Sequence, residues 1–153
     1  YLVPAFTGLG APWWSPDARG VVCGITRGTD RARLVRAACE SMAYQTYDIL
    51  KAMEADSGHR LTSLNVDGGA ANNEFIMQFQ SDLLDIGVVR AGVDETTALG
   101  AAYLAGLAVG FWADREELVS MQAQARRYEP QMSAVQREAL LAGWRAAVRR
   151  TLA

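Results

Sequence analysis

The feature that most constrains the fold is a glycine-rich turn near the middle of the chain. An apolar run over residues 64–66 ends at Asp67, and Gly68 and Gly69 follow directly. After two alanines and two asparagines, an amphipathic pattern typical of a helix begins. A strand that passes into a helix through so short a turn is the repeating unit of α/β domains with parallel strands. The sequence therefore predicts an α/β domain.

Strands and helices alternate along the rest of the chain as well. Apolar or β-branched runs predict strands at residues 1–4, 21–26, 61–67 and 87–91, and the run at 21–26 has the composition of a buried strand. Helical patterns run from Thr29 or Asp30 to Gly58, over about 72–84, from Thr96 or Thr97 to Gly110, and over roughly 114–124 and 134–152. The predicted order is β, loop, β, α, β, α, β, α, α, α, with a partly parallel sheet whose ligands bind at the carboxyl ends of strands.

Apolar spacing predicts which helix faces are buried. We expect the first helix to be capped by Thr29 or Asp30 and to end at Gly58. Its apolar positions recur at intervals of four and three, which predicts one continuous face of a core helix. That face consists of Val35, Cys39, Met42, Thr46, Ile49 and Met53. Small residues on the helix opened by Thr96 or Thr97 predict close packing against a sheet. The last helix carries a stripe of Leu141, Trp144, Val148 and Leu152.

Composition excludes several classes of function. The chain has 153 residues, a net charge of -2 and a pI of about 5.4, so no basic face is expected to bind nucleic acid. Cys23 and Cys39 form no CxxC pair, which favours a reduced, cytoplasmic protein. The apolar stretch at residues 98–112 is too short and too rich in glycine to span a bilayer, and we expect no secretory signal. Because the chain starts within a strand pattern and without methionine, we expect a fragment of a longer protein.

The glycine turn has two interpretations that local chemistry leaves equally open. Without a Cβ at Gly68 and Gly69, a flat ring or a sugar can lie on the peptide backbone, and the following helix directs its free N–H groups to the same place. Asn73 offers a donor and an acceptor to the edge of a base, so the turn suits adenosine. Alternatively, it is an ordinary tight turn capped by Asn72 or Asn73. The sequence is neither a P-loop nor a GxGxxG fingerprint.

Other candidate residues give weaker signals. The single histidine, His59, follows Gly58 in a turn and is expected at the surface. No Cys, His or carboxylate cluster has the spacing of metal ligands, so we predict no metal-ligating residue. Asp67 is the best-placed acid, either orienting ligand or water or capping the glycine turn. Trp13 and Trp14 lie in a Gly/Pro-rich loop, where packing is favoured over the lining of a cleft.

Four blocks of the sequence strongly resemble the glycerol kinases of the FGGY carbohydrate kinase family. They are "VPAFTGLGAPWWSPDARGVVCGITRGT" at 3–29, "ESMAYQTYDILKAMEADSG" at 40–58, "VDGGAANNEFIMQFQSDLL" at 66–84 and "ETTALGAAYLAGLAVGFW" at 95–112. The blocks occur in the family's order and cover essentially the whole chain. The "FTGLGAP" loop is typical of glycerol kinases and differs in the related xylulose and gluconate kinases.

The resemblance implies a fold and a set of site residues. It implies the ribonuclease-H-like, actin-like ATPase fold, with residues 1–153 forming the C-terminal part of the second, nucleotide-binding domain. The first strands of that domain and the whole N-terminal domain would then lie outside the chain. It also implies that Gly68, Gly69, Ala70 and Asn73 contact the adenosine of ATP or ADP. The catalytic aspartate, the glycerol-contacting residues and most groups near Mg²⁺ are expected upstream, so this chain contributes no catalytic residue.

The implied reaction is ATP-dependent phosphorylation of glycerol to sn-glycerol 3-phosphate, by a cytoplasmic enzyme that forms homo-oligomers. The chain alone is expected to be inactive, and poorly soluble or self-associating. Two alternatives stay open: a kinase of the same family that acts on another polyol or sugar such as xylulose, and a non-catalytic module of the same fold.

Overall fold

The strands of the computed structural model, which describes residues 1–93, 95–120 and 125–153, form two small sheets. Strands β1 (Leu2–Val3) and β2 (Val21–Val22) make an antiparallel pair. Strands β3 (Ser63–Val66), β4 (Gly87–Arg90) and β5 (Arg126–Tyr128) make a sheet in the order β3-β4-β5. Strand β4 is parallel to β3 and antiparallel to β5. The parallel pair confirms the strand–turn–helix unit predicted around the glycines.

Of the helices, the first begins and ends at its predicted capping residues. The longest is α1 (Arg31–Ser57), where the Asp30 side chain caps the first turn and Gly58 ends the helix in the left-handed conformation. The others are α2 (Glu74–Leu84), α3 (Thr96–Ala108), α4 (Arg115–Ser120) and α5 (Ala134–Thr151). A single turn of 3₁₀-helix, Gly69–Asn72, precedes α2. The last part of the predicted 114–124 helix, residues 121–124, lies outside the described residues.

An aromatic core joins α1, α2, α5 and the first strand. The Tyr44 ring stacks on the Trp144 indole with centroids 5.0 Å apart, and Phe79 meets the Tyr44 ring edge-on at 5.4 Å. Val3 of β1 is fully buried in the same cluster. Trp144, only 1% exposed, confirms that the predicted stripe of the last helix faces the core, although Leu152 at its end is exposed.

A second, smaller core lies between α2 and the three-stranded sheet. Ile76 and Met77 of α2 pack with Val88 of β4 and Tyr128 of β5. Ala71, in the 3₁₀ turn, is 2% exposed and belongs to the same cluster. The glycine turn is therefore fixed to the sheet from one side through Ala71.

Two predicted β features differ from the structure. The run at 21–26 forms only the two-residue strand β2, and it is not buried, since Val22 is 44% and Ile25 64% exposed. Among the described residues β2 pairs only with β1, so no further strand covers its other edge. Strand β5 was not predicted, because its sequence, Arg-Arg-Tyr, has no apolar alternation.

Two predicted helix faces also differ from the structure. The apolar face of α1 is largely exposed, and the opposite face, including Ala43 and Tyr44, is buried. Helix α3 does not pack closely on the sheet within the described residues: Leu104 is 71% exposed, and Gly106 instead lies against the Trp112 ring. In both cases periodicity identified an apolar or small-residue face without indicating what covers it.

Candidate functional site

The glycine turn connects the end of β3 to the start of α2. The amide of Ala91, just past β4, donates to the Val66 carbonyl at 3.0 Å and holds the strand end in the sheet. Gly68 then adopts φ 83° and ψ 175°, and its carbonyl accepts the Ala71 amide at 3.0 Å. A side chain at Gly68 would be strained at this positive φ, so the backbone itself requires a glycine there.

Gly69 has no such internal reason to be a glycine. Its φ is not in the left-handed region, and a Cβ built on it would meet no atom of the described residues within 4 Å. Neither strain nor crowding inside the chain therefore excludes a larger residue. The peptide planes around Gly69 and the exposed Ala70 form a bare backbone surface that a ligand can approach closely.

Asn73 is the N-cap of α2. Its side-chain oxygen accepts the amides of Phe75 at 3.0 Å and Ile76 at 3.3 Å, which confirms the capping role. Asn73 is exposed, and within the described part of the chain its amide nitrogen makes no hydrogen bond. Capping and ligand binding are therefore compatible, because they use different atoms of the side chain. The positive end of the α2 dipole adds a weak attraction for electron-rich groups.

Asp67 links the turn to α3. Its carboxylate accepts a hydrogen bond from the Thr96 hydroxyl, in the first turn of α3. Asp67 and Thr96 both line a cavity of about 380 Å³ at the carboxyl ends of the parallel strands β3 and β4. This is the edge of an α/β sheet where ligands bind. Asp67 thus positions the turn and borders the cavity, in addition to ending β3.

A larger groove reaches the turn between α1 and α2. Its volume is about 700 Å³, and Asn73 and Phe75 form the α2 wall. The Arg36 guanidinium, on the α1 wall, lies 5.3 Å from the centroid of the Phe75 ring, in cation–π contact. The wall is otherwise mostly apolar, with Val35 and Cys39 among its residues. The glycine turn therefore has the cavity on its Asp67 side and the groove on its Asn73 side.

The other predicted candidates, one histidine and two tryptophans, differ in their surroundings. His59 is exposed, and its ring Nδ1 is 2.8 Å from the Ser57 carbonyl oxygen, just past the end of α1. Trp14 is 76% exposed at φ 47°. The Trp13 indole, by contrast, donates to the Asp48 carboxylate of α1 at 3.4 Å, so this loop is tied to the helix.

Asp48 is a residue that sequence reasoning missed. Its carboxylate also accepts the Trp144 indole N–H at 2.7 Å and so joins the loop, α1 and α5. Burial raises the pKa of Asp48, and the two indole N–H groups and the Arg145 charge partly oppose that rise. The available signal was an acid four residues after Tyr44, on the buried side of α1. Its bonds indicate a structural role.

The chemistry of the site is that of binding. The turn offers backbone, the Asn73 amide and a helix N-terminus, and no side chain over residues 68–73 is a nucleophile or a base. Within residues 1–93, 95–120 and 125–153, no group of three His, Cys, Asp or Glu side chains is placed to hold a metal ion. In the same ranges no helix is both long and apolar enough to cross a membrane.

Comparison with known proteins gives one consistent family. Residues 1–109 match the model of the FGGY family of carbohydrate kinases, C-terminal domain. A glycerol kinase of Dechloromonas aromatica is 60% identical over 152 residues, which is 99% of this chain and 30% of that protein. The chain thus spans about 30% of the length of the curated relatives it matches.

Solved structures agree with the sequence comparison. Plasmodium falciparum glycerol kinase, crystallised with ADP, has a TM-score of 0.86 at 36% identity, over 99% of this chain and 30% of that one. A xylulose kinase from Bifidobacterium adolescentis has a TM-score of 0.63 at 27% identity, over 94% of this chain and 28% of that one. These neighbours confirm the predicted fold, that of the actin-like kinases of this family.

Proposed function

Because the chain belongs to the FGGY family of carbohydrate kinases, we propose that it is the C-terminal part of an ATP-dependent glycerol kinase. The higher identity and TM-score of glycerol kinases, compared with the xylulose kinase, support glycerol as the substrate. In this proposal residues 1–153 belong to the second, nucleotide-binding domain, whose first strands, like the whole N-terminal domain, lie upstream. Such a fragment has no turnover alone.

The proposed role of the chain is to bind the adenosine of ATP or ADP on the glycine turn. Gly68, Gly69 and Ala70 provide bare backbone for the ribose or base, and the Asn73 amide donates to the nucleotide. The observation that carries this assignment is Gly69, a glycine that neither its φ nor its surroundings in the chain require. The ADP bound by the Plasmodium falciparum relative supports a nucleotide as the ligand.

In phosphoryl transfer, the role of this chain would be to position the nucleotide. That reaction depends on aligning the γ-phosphate with the attacking hydroxyl and on neutralising charge, more than on covalent chemistry by the protein. Ala71 fixes the turn to the second core and Asp67 ties it to α3, so adenosine on the turn would be held rigidly. The described residues offer no carboxylate cluster for Mg²⁺. We therefore place Mg²⁺ on the phosphates and on residues upstream, where it would shield phosphate charge.

The catalytic base and the glycerol contacts are also placed upstream, in this proposal. Closure of the two domains around the substrates would exclude water from the γ-phosphate. We further propose that the full enzyme is cytoplasmic and homo-oligomeric. A kinase for another polyol or sugar would use the same adenosine site, and a non-catalytic module would not need the bare backbone at Gly69.

The experiment that tests the proposal is an ADP-release assay on the full-length gene product, with glycerol, xylulose and gluconate as parallel substrates. We expect ADP formation that depends on glycerol, with much lower rates for the two others. Activity with xylulose or gluconate, and none with glycerol, would contradict glycerol as the substrate but would leave the proposed nucleotide site in place. If no substrate releases ADP but the protein binds ADP, the kinase assignment fails; if ADP does not bind either, the adenosine assignment fails too.

A further inference from the structure

Asp67 is the predicted candidate that the proposed adenosine contacts leave out. It follows β3, whose Leu64 and Val66 pack against the second core. Because successive side chains of a strand point to opposite faces of the sheet, Asn65 lies on the face away from that core. Asn65 and Asp67 line the same cavity, the one of about 380 Å³ at the carboxyl ends of β3 and β4. Asp67 therefore borders a space that is separate from the second core.

The composition of this cavity suits a sugar. Its wall contains polar residues, among them Asp67, Asn65 and Thr96, and also the apolar residues Val89 and Ala91. A sugar ring presents hydroxyl groups at its edge and C–H groups on its faces, so it needs both kinds of wall. A wholly apolar ligand would displace water from the carboxylate and supply no hydrogen-bond donor in return, which is unfavourable. The cavity therefore favours a ligand that carries hydroxyl groups.

The Asp67 carboxylate is available to such a ligand. Its Oδ2 atom accepts the hydrogen bond from the Thr96 hydroxyl. Among the described residues no group donates to Oδ1, and Asp67 is exposed. An ionised carboxylate only accepts hydrogen bonds, and a hydroxyl group is a donor that it binds strongly. Thr96 thus holds one oxygen of Asp67 and leaves the other to a ligand.

The two ends of the glycine turn offer different groups to adenosine. At one end Asp67 directly precedes Gly68, so their Cα atoms are about 3.8 Å apart. At the other end is the amide nitrogen of Asn73, a hydrogen-bond donor that capping does not use. The edge of adenine has ring nitrogens that accept hydrogen bonds, whereas ribose has hydroxyl groups that donate them. The base therefore fits the Asn73 end of the turn, and the ribose fits the Asp67 end.

We infer that Asp67 accepts a hydrogen bond from a ribose hydroxyl of the bound nucleotide and thereby selects ribonucleotides over deoxyribonucleotides. The inference rests on the proposed function, because it concerns the same ATP or ADP. It also fixes the direction in which adenosine lies across the turn. Dinucleotide sites use the same chemistry, since an acidic side chain there binds the ribose 2′-hydroxyl. Thr96 has a positioning role, because its hydroxyl holds the carboxylate.

The test measures how strongly the full-length gene product prefers ribose. Isothermal titration calorimetry gives the Kd for ADP, 2′-deoxy-ADP and 3′-deoxy-ADP. We expect wild type to bind one of the two deoxy analogues about tenfold more weakly than ADP, because one hydrogen bond to a charged group is lost. In Asp67→Ala both analogues should bind within about twofold of ADP. Asp56→Ala removes an exposed acid from the last turn of α1 and is the matched control, which should keep the preference of wild type.

Thr96→Val separates contact with ribose from support of the turn. It removes the hydrogen bond between α3 and Asp67 and keeps the carboxylate, so a preference of at least about fivefold should remain. An equal loss of preference in Thr96→Val and Asp67→Ala would show that Asp67 only supports the turn, and would overturn the inference. Should Asp67→Ala not fold, Asp67→Asn keeps the shape of the side chain. Its weaker neutral hydrogen bond should reduce the preference to about threefold, and an unchanged preference would contradict the inference.

Two other results would also overturn the inference. Equal binding of ADP and both deoxy analogues by wild type would show that no residue binds the ribose hydroxyls. A preference that persists in Asp67→Ala would show that a different residue binds them. In both cases ADP still binds, so the proposed nucleotide site would stand. A protein that binds no ADP at all would contradict the proposed function itself, and this inference with it.

Discussion

Replacing Gly69 by valine separates a ligand-binding role of the turn from a structural one. The structure places no atom of a non-neighbouring residue within 4 Å of a Cβ at this position, and the backbone φ there is outside the left-handed region. We therefore expect the free energy of unfolding to change by less than about 0.5 kcal/mol. If adenosine lies on the bare backbone, the valine methyl groups must displace it. Overpacking of that kind costs about 1–3 kcal/mol.

That cost corresponds to roughly a 5- to 150-fold weaker affinity for ATP and ADP. The assay is titration of full-length protein with a fluorescent ADP analogue, together with the KM for ATP and the KM for glycerol. The KM for ATP should rise and the KM for glycerol should stay constant. Gly28→Val is the matched control, because Gly28 is also an exposed turn glycine outside the left-handed region, and a Cβ there would meet only the Thr26 hydroxyl, at an ordinary contact distance of 3.8 Å. A folded Gly69→Val protein that binds ADP within twofold of wild type would refute the reasoning.

Three further changes test the packing and the cap. Asn73→Ser keeps an N-cap oxygen and loses the amide donor. The free energy of unfolding should therefore stay within about 0.5 kcal/mol of wild type, while the KM for ATP should rise about tenfold because one hydrogen bond is lost. A lower free energy of unfolding with an unchanged KM would show that Asn73 has only the capping role. Trp144→Ala should lower the unfolding free energy, measured in urea, by about 3–5 kcal/mol, because the indole is buried against Tyr44. Asp48→Asn should stabilise the protein relative to wild type increasingly above about pH 4, since burial raises the pKa of Asp48 and its ionised form is the less favourable one. Urea titrations at pH 4 and pH 7 check this sign, and a larger gain at pH 4 would contradict it.

The sequence predicted those features that depend on local chemistry. Asp30 and Gly58 delimit α1 as expected, because a cap and a left-handed glycine act within one helical turn. The parallel pairing of β3 and β4 followed from the strand–turn–helix pattern. At the site, a cap by Asn72 or Asn73 was also predictable, since both amides directly precede an amphipathic run, and the structure has Asn73 in that role.

Features that depend on distant neighbours were not predictable. The spacing of the apolar face of α1 is that of a buried face, yet the chain buries Tyr44 on the other side of the helix, where Trp144 and Phe79 come from distant segments. Strand β5 forms from a polar segment because β4 offers it a free edge. Asp48 is a partner of two tryptophans, at positions 13 and 144, that only the fold brings together.

The measurement that tests the central claim most directly is a crystal structure of the full-length protein with ADP. The account predicts that the adenosine lies in van der Waals contact with the backbone at Gly68 and Gly69, with the Asn73 amide nitrogen within hydrogen-bonding distance of it. An adenosine bound elsewhere, with the glycine turn facing only solvent or protein, would contradict the account.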